Sequence, residues 1–289
     1  MTVILEAGYT LPSGDRPLSH SRIAHRGNWL SGGTASAGSV ADGYFVGGPL
    51  NTATYERWRP AGDFGPVTFQ GGSVTFQGEI VTFQAADVAW QYDHRTPATC
   101  DYCAIGAHTM GTAFATVQVQ SSTDGAAWSD RCPATLIESN EPVFVIFAPV
   151  TARYWRVVIN ANADLGVVKF GQALQMQQPH TLNHAPPRYQ RETVIRESNS
   201  ETGEFLGQVV QRSALQSTFE WSHLTSEWVE ANWLPFTLAA ERDAFFVAWR
   251  PGGYGAVTYG RAASSPVASL MGVKAYMMGS VTMRGHAYE

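Results

Sequence analysis

The chain has 289 residues and a net charge of −5, with 44% hydrophobic and only 15% charged residues. That length suits about two domains of ~100–200 residues each, and a charged share well below the usual ~25% suits a surface partly covered by other subunits. The negative balance, with no run of basic residues, argues against a nucleic-acid partner, and no run of ~18 apolar residues exists to span a membrane.

The first stretch, MTVILEAGYTLPSGD, holds a short strand (residues 2–6) and a turn. It lacks a basic region followed by a long apolar one, so it does not read as a secretion signal, and a cytosolic protein is expected. SRIAHRGNWL reads as an edge strand. His20 and His25 have no third ligand in register and do not read as a metal site. Residues 31–60 are rich in Gly, Ser and Ala, too small to build a core, and end at Trp58 and Arg59, which read as core and rim. Val-Thr-Phe-Gln then occurs at 67–70, 74–77 and 81–84, with Val-Ala-Trp-Gln at 88–91. Gly71, Gly72 and Gly78 exclude a helix, so each repeat reads as one short strand of an insertion at 66–91. It serves either as an added edge for a neighbouring subunit or as a tolerated duplication.

The segment 101–159 is the organising stretch. Tyr102 to Ala107 reads as a short apolar strand. ATVQVQS alternates, with Val117 and Val119 on one face and Gln118 and Gln120 on the other. Asp124-Gly125 marks a turn, and Trp128 is expected to close one end of the core. Two further strands follow, Val143 to Phe147 and Tyr154 to Ile159. One of Tyr154 and Trp155 should be buried, since neighbours alternate faces. LGVVKFGQALQMQQP ends the first domain with an alternating strand. Period-two stripes cut by Asp-Gly and Pro predict an antiparallel sandwich. The three cysteines, Cys100, Cys103 and Cys132, suit buried free thiols; a disulfide to Cys132 or a metal pair at Cys100 and Cys103 are the alternatives.

Residues 179–187 read as a proline-biased linker. In the remainder, 188–289, RYQRETVIRESNSETGEFLGQVVQRS predicts a hairpin turning at SNSETG. A helix is expected near 224–242, capped by Thr225, with Trp228, Trp233, Phe236 and Ala240 on one stripe and Pro235 kinking or splitting it. FFVAWRP, AVTYGR and SVTMRGHAY are the closing strands.

Taken together, His108-x-x-Gly111, VQVQSSTDGAAW and ARYWRVVI resemble the galactose-binding-like, or discoidin-type, jelly roll. With PLSHSRIAHRGNWL, ERWRP, FEWSHLTSEWVEANWLPF and FFVAWRPGGYGAVTYGR, the wording resembles distal-tail-like proteins of the tail tip or baseplate of long-tailed bacteriophages. The resemblance covers most of the chain; no single piece of it is a strict motif. It implies a mainly β protein: a galactose-binding-like jelly roll over 1–178, then a smaller β-rich domain with one helix. It also implies a structural role by protein–protein contacts in the virion, after assembly in the host cytoplasm. The implied partners are other copies in a ring and tail tube, hub or fibre proteins. The alternative is a carbohydrate-binding receptor-recognition module that meets host surface glycan. Discoidin-type folds bind ligands with the loops at one end, which makes Tyr44, Phe45 and Tyr55 candidate glycan-facing residues, although loop packing or a subunit contact suits them too.

No Gly-x-Ser-x-Gly, P-loop or His-Glu-x-x-His pattern occurs. His108 stands after a strand without evident catalytic partners, and the resembling family uses that position structurally. Asp87, Asp93 and Asp101 are too scattered for a calcium site. No enzyme activity, metal or cofactor is expected.

Overall fold

The computed structural model describes residues 3–62, 74–76, 79–81, 88–181, 190–272 and 275–286. Two long strands carry the first unit. β6 (Val88–Gly106) and β10 (Val143–Ile159) run antiparallel along most of their length. Their register shifts between Ile146 and Val150 and between Ala152 and Tyr154, and such irregularities bend a strand pair. Each strand therefore serves both layers of a sandwich. In one layer the first part of β6 and the last part of β10 are flanked by β3 (Thr34–Ala37) and β7 (Thr116–Ser122). Short strands β8 (Ser129–Asp130) and β9 (Thr135–Leu136) continue from β7. In the other layer the remaining parts are flanked by β11 (Val167–Gly171) and by β1 (Val3–Leu5), which runs parallel to β10. The separate strands expected at Tyr102–Ala107, Val143–Phe147 and Tyr154–Ile159 are thus parts of two continuous ones. The turn signals between them mark bends, not ends.

Between the layers lies a core built on Trp58, Trp90, Phe147, Trp155 and Phe170. β7 contributes Val117 and Val119, both fully buried, while Gln118 and Gln120 face outward, as alternation requires. Trp155 is the buried partner of its pair and Tyr154 the half-exposed one. Trp128 departs from expectation. It lies half-exposed outside the core, with the Arg156 guanidinium 4.1 Å above its ring. It directly precedes β8, two exposed residues at the sheet margin.

The second layer is buried on both faces. All five residues of β11, and Val143–Phe147 of β10, are buried. The alternation expected for LGVVKFG is therefore absent, because a strand covered on both sides reads as a continuous apolar run. The cover is the chain's second sheet. It is ordered β12 (Leu174–Gln175), β2 (Arg22–Ala24), β15 (Phe245–Arg250), β16 (Tyr254–Ala262), β18 (Tyr276–Gly285), β14 (Phe205–Thr225) and β13 (Arg191–Asn199), with β17 (Val267–Leu270) also on β18. β2, expected at an edge, is interior between β12 and β15, with Ser21, Arg22 and His25 buried. Along β15, Phe246 and Ala248 face the sandwich against Tyr102, Ala104 and Phe144, while Phe245 and Val247 face the opposite way. Gly106 lies close against that face: a Cβ there would stand 3.0 Å from the Phe246 ring.

The other face of the second sheet carries the helical segment 226–240. Thr225 caps it, its Oγ1 accepting from the Trp228 N–H at 3.3 Å. A π-turn at Val229–Trp233 precedes Pro235, which occupies the first turn of the next α-helical stretch. The segment stays helical past the proline expected to kink or split it, and changes from π to α at Leu234. Trp233, Phe236 and Ala240 pack on Trp221 and Phe245. The fold is therefore mainly β: the β-sandwich that the galactose-binding-like resemblance implies, followed by a smaller β-rich unit with one helix. A two-stranded ribbon, β4 (Val74–Phe76) with β5 (Glu79–Val81), falls within the repeat region. The rest of the insertion up to residue 87, and most of the linker, lie outside the described residues.

Candidate functional site

The loop from 38 to 57 crosses from the sandwich to the second sheet. Its return is anchored by Trp58, fully buried, which bridges Leu165 and whose indole N–H donates to the Ser39 carbonyl at 3.0 Å. Arg57 and Arg59, on either side, both reach the buried carboxylate of Asp164. At its far end the Tyr259 hydroxyl donates to the Thr52 carbonyl at 2.6 Å, and Thr52 Oγ1 bonds Asp243. The loop is therefore tied to both units.

Of the three aromatic residues singled out in the sequence, the structure separates two from the third. Tyr44 lies under the Arg59 guanidinium, 4.7 Å from its ring centre. Phe45 is 63% exposed, and its N–H donates to the Arg57 carbonyl. Tyr55 is 79% exposed and lines a cleft of about 570 Å³ at the seam of the two units. Across this cleft stand Arg261, Arg284 and His286 from the second sheet, with Ser213 at its wall. Among the described residues no Asp or Glu lines it. The Ser213 Oγ is buried without a hydrogen-bond partner, which costs about 1–3 kcal/mol unless something fills the vacancy. Arg284 is held by a bidentate ion pair to Glu192, at 2.9 and 3.1 Å. Burial, with Arg57 adding to it, lowers the pKa of His286.

Sequence reasoning missed Ser213, Arg261, Arg284 and His286. Ser213, Arg261 and Arg284 lie on three strands and His286 just past the end of the third, all far from residue 55, and nothing local marks them. It also missed the burial of Lys169, which lines a smaller cavity of about 120 Å³ with Trp29 and Tyr92. The Lys169 ammonium sits 4.9 Å from the centre of the Trp29 ring and donates to the Leu50 carbonyl. Burial drops its pKa to about 7.

His108 is buried, and both ring nitrogens are engaged by backbone: Nε2 with the Glu141 carbonyl at 2.8 Å and Nδ1 with the Met110 N–H. Burial drops its pKa to about 4. The cysteines are all free and buried. Cys132 Sγ accepts from the Val119 N–H at 3.2 Å, and burial raises its pKa to about 11. Among the described residues no group of His, Cys, Asp or Glu is placed to hold a metal, and no helix is long and apolar enough to cross a membrane.

No protein-family model matches the chain, and no curated protein matches it. About half of it aligns with solved carbohydrate-active proteins. The CBM32 module of AlyQ, in complex with 4,5-unsaturated mannuronic acid, shares 14% identity over 49% of this chain and 96% of its own, with a TM-score of 0.36. Chitosan-binding module 1 from a chitosanase/glucanase of Paenibacillus sp. IK-5 shares 15% over 50% and 97%, with a TM-score of 0.37. SpGH29 shares 14% over 50% of this chain, which spans only 28% of that protein, with a TM-score of 0.36. At these scores the likenesses carry no argument about ligand or activity. The phage-tail resemblance finds no support among them.

Proposed function

We propose that the chain is a carbohydrate-binding module without catalytic activity, and that it takes an acidic saccharide in the cleft at Tyr55. The observation that carries this reading is the conjunction of an exposed aromatic ring and an orphaned buried hydroxyl. Tyr55 offers a flat apolar face at the rim, and Ser213, whose buried Oγ has no hydrogen-bond partner, is among the residues that line the cleft. Ligand sites of this type join apolar surface with a few convergent polar groups. Arg261, in a cleft that no carboxylate lines among the described residues, favours a sugar that carries one. Calorimetric titration with a paired set of neutral and uronate-bearing oligosaccharides tests it. Binding should be confined to the acidic set. Tyr55→Ala should weaken it about tenfold or more, in line with ~1.4 kcal/mol per decade, without changing the melting temperature. A parent protein that binds neither set, or a Tyr55→Ala variant that binds as well as the parent, ends this reading.

A second reading, a structural component of a phage tail tip, is favoured by a different feature. Val194, Ile195, Phe205, Leu206, Val209 and Val210 are all exposed on the β13–β14 hairpin, an apolar surface that suits burial against other subunits. In that setting the protein would be made in a host cytoplasm and end in the virion. It would stand in a ring of its own copies, against tube, hub or fibre proteins. Negative-stain images separate the readings: closed rings with no sugar affinity support the second.

A further inference from the structure

The β13–β14 hairpin leaves the body of the second sheet. At Leu215, β14 is paired with Arg191 of β13 on one side and Gly285 of β18 on the other. Beyond that point, among the described residues, β13 and β14 pair only with each other. Residues 193–199 are all exposed. A lone two-stranded ribbon is marginal in water, and among the described residues β13 ends the sheet with an unpaired edge.

The residues on that edge run Arg191, Glu192, Thr193, Val194, Ile195, Arg196, Glu197. Val194 pairs with Arg212 and Ile195 with Val210, so the extra residue of the bulge, Gln211, belongs to β14. The alternation of β13 is unbroken. Read about Val194, the charges are a palindrome of inverted sign. Lay a second copy of β13 antiparallel with Val194 opposite itself, and Arg191 faces Glu197 while Glu192 faces Arg196. Opposed residues in an antiparallel pair share a face, so each face of the ribbon gains two such pairs and no like-charge contact. The register is specified. A slip of one residue sets Glu192 against Glu197 or Arg191 against Arg196, and a slip of two removes all the pairs. Glu192 already holds Arg284 of its own chain, so Arg196 of the second copy would complete a three-membered network.

We infer that β13 is the self-pairing edge of a two-fold dimer, centred on Val194, in which two copies of this chain form a continuous four-stranded ribbon. The pairing buries main-chain groups that the lone edge leaves to water and brings the apolar rows of the two ribbons side by side. A closed two-fold contact of this kind is self-complementary by construction. It stands independently of the saccharide reading, which needs only one copy.

Sedimentation of the full chain tests it. The parent should dimerise. Arg191→Glu alone and Glu197→Arg alone each put like charges opposite one another and should raise the dissociation constant about tenfold. The double variant R191E/E197R restores the palindrome and should return the parent value. Val194→Cys provides a measurement that does not depend on charge. Residue 194 faces itself, so mild oxidation should yield a covalent dimer, while Ser198→Cys should not; the three native cysteines are buried and do not interfere. A parent that stays monomeric at every concentration, a dimer indifferent to both single charge reversals, or a dimer that Val194→Cys fails to cross-link would each overturn the proposal, whatever other protein then proves to cover the edge.

Discussion

Trp155 has its ring against Phe147 and Phe170, at centroid distances of 5.9 and 5.6 Å, and no exposure to solvent. Trp155→Ala should therefore cost about 3–5 kcal/mol, the usual range for emptying a large aromatic site, read as a drop in denaturation midpoint. His108 makes a different prediction. Burial holds its pKa near 4, below the 6.5 of a free imidazole. The unfolded chain takes up a proton at 6.5 that the folded chain refuses until about 4. Stability from this residue is thus full above pH 6.5 and is lost as pH falls toward 4, to an extent on the order of 3 kcal/mol. His108→Gln cannot protonate, so its stability should fall less than the parent's between pH 7 and pH 5. Parallel melting curves compare the two directly. The inward position of Cys103 was legible from alternation, which also required one of Tyr154 and Trp155 to be buried but left open which. The burial of Lys169 was not, because a charged residue in an apolar run gives no local sign that both faces of its strand are covered.

At the scale of the element, the close contact between layers is concentrated where Gly106 of β6 meets Phe246 of β15. Gly106→Val would drive a branched side chain into that ring and should destabilise by about 1–3 kcal/mol, the common cost of overpacking. The same substitution at an exposed glycine turn, such as Gly203, acts instead through its positive φ of 84°. β7 and the hairpin β13–β14 were legible in the sequence, since alternation and turn residues are local properties. β6 and β10 were misread as several strands. Their bulges carry the same Pro and polar signals as chain reversals, and only pairing along both halves distinguishes a bend from an end.

For the whole molecule, the decisive feature is that one apolar layer serves two units. Tyr102, Phe144 and Phe246 belong to a single buried cluster shared by the sandwich and the second sheet. That sheet also takes β2 and β12 from residues that precede the linker. A fragment ending at residue 178 would expose the outer face of β10 and β11 and leave β2 without β15. It should bind hydrophobic dyes and melt without cooperativity, whereas the intact chain should unfold in one calorimetric transition.

Local pattern, at period two for strands and 3.6 for the helix, determined by itself the class of this protein, most of its strands and the position of its helix, because these depend on neighbours a few residues away. The tertiary structure alone decided what covers those strands. The outer face of the sandwich's second layer is covered by the chain's own second sheet. The cleft at Tyr55, whose walls come from residues some 160 to 230 positions away in the chain, exists only because the two units stack.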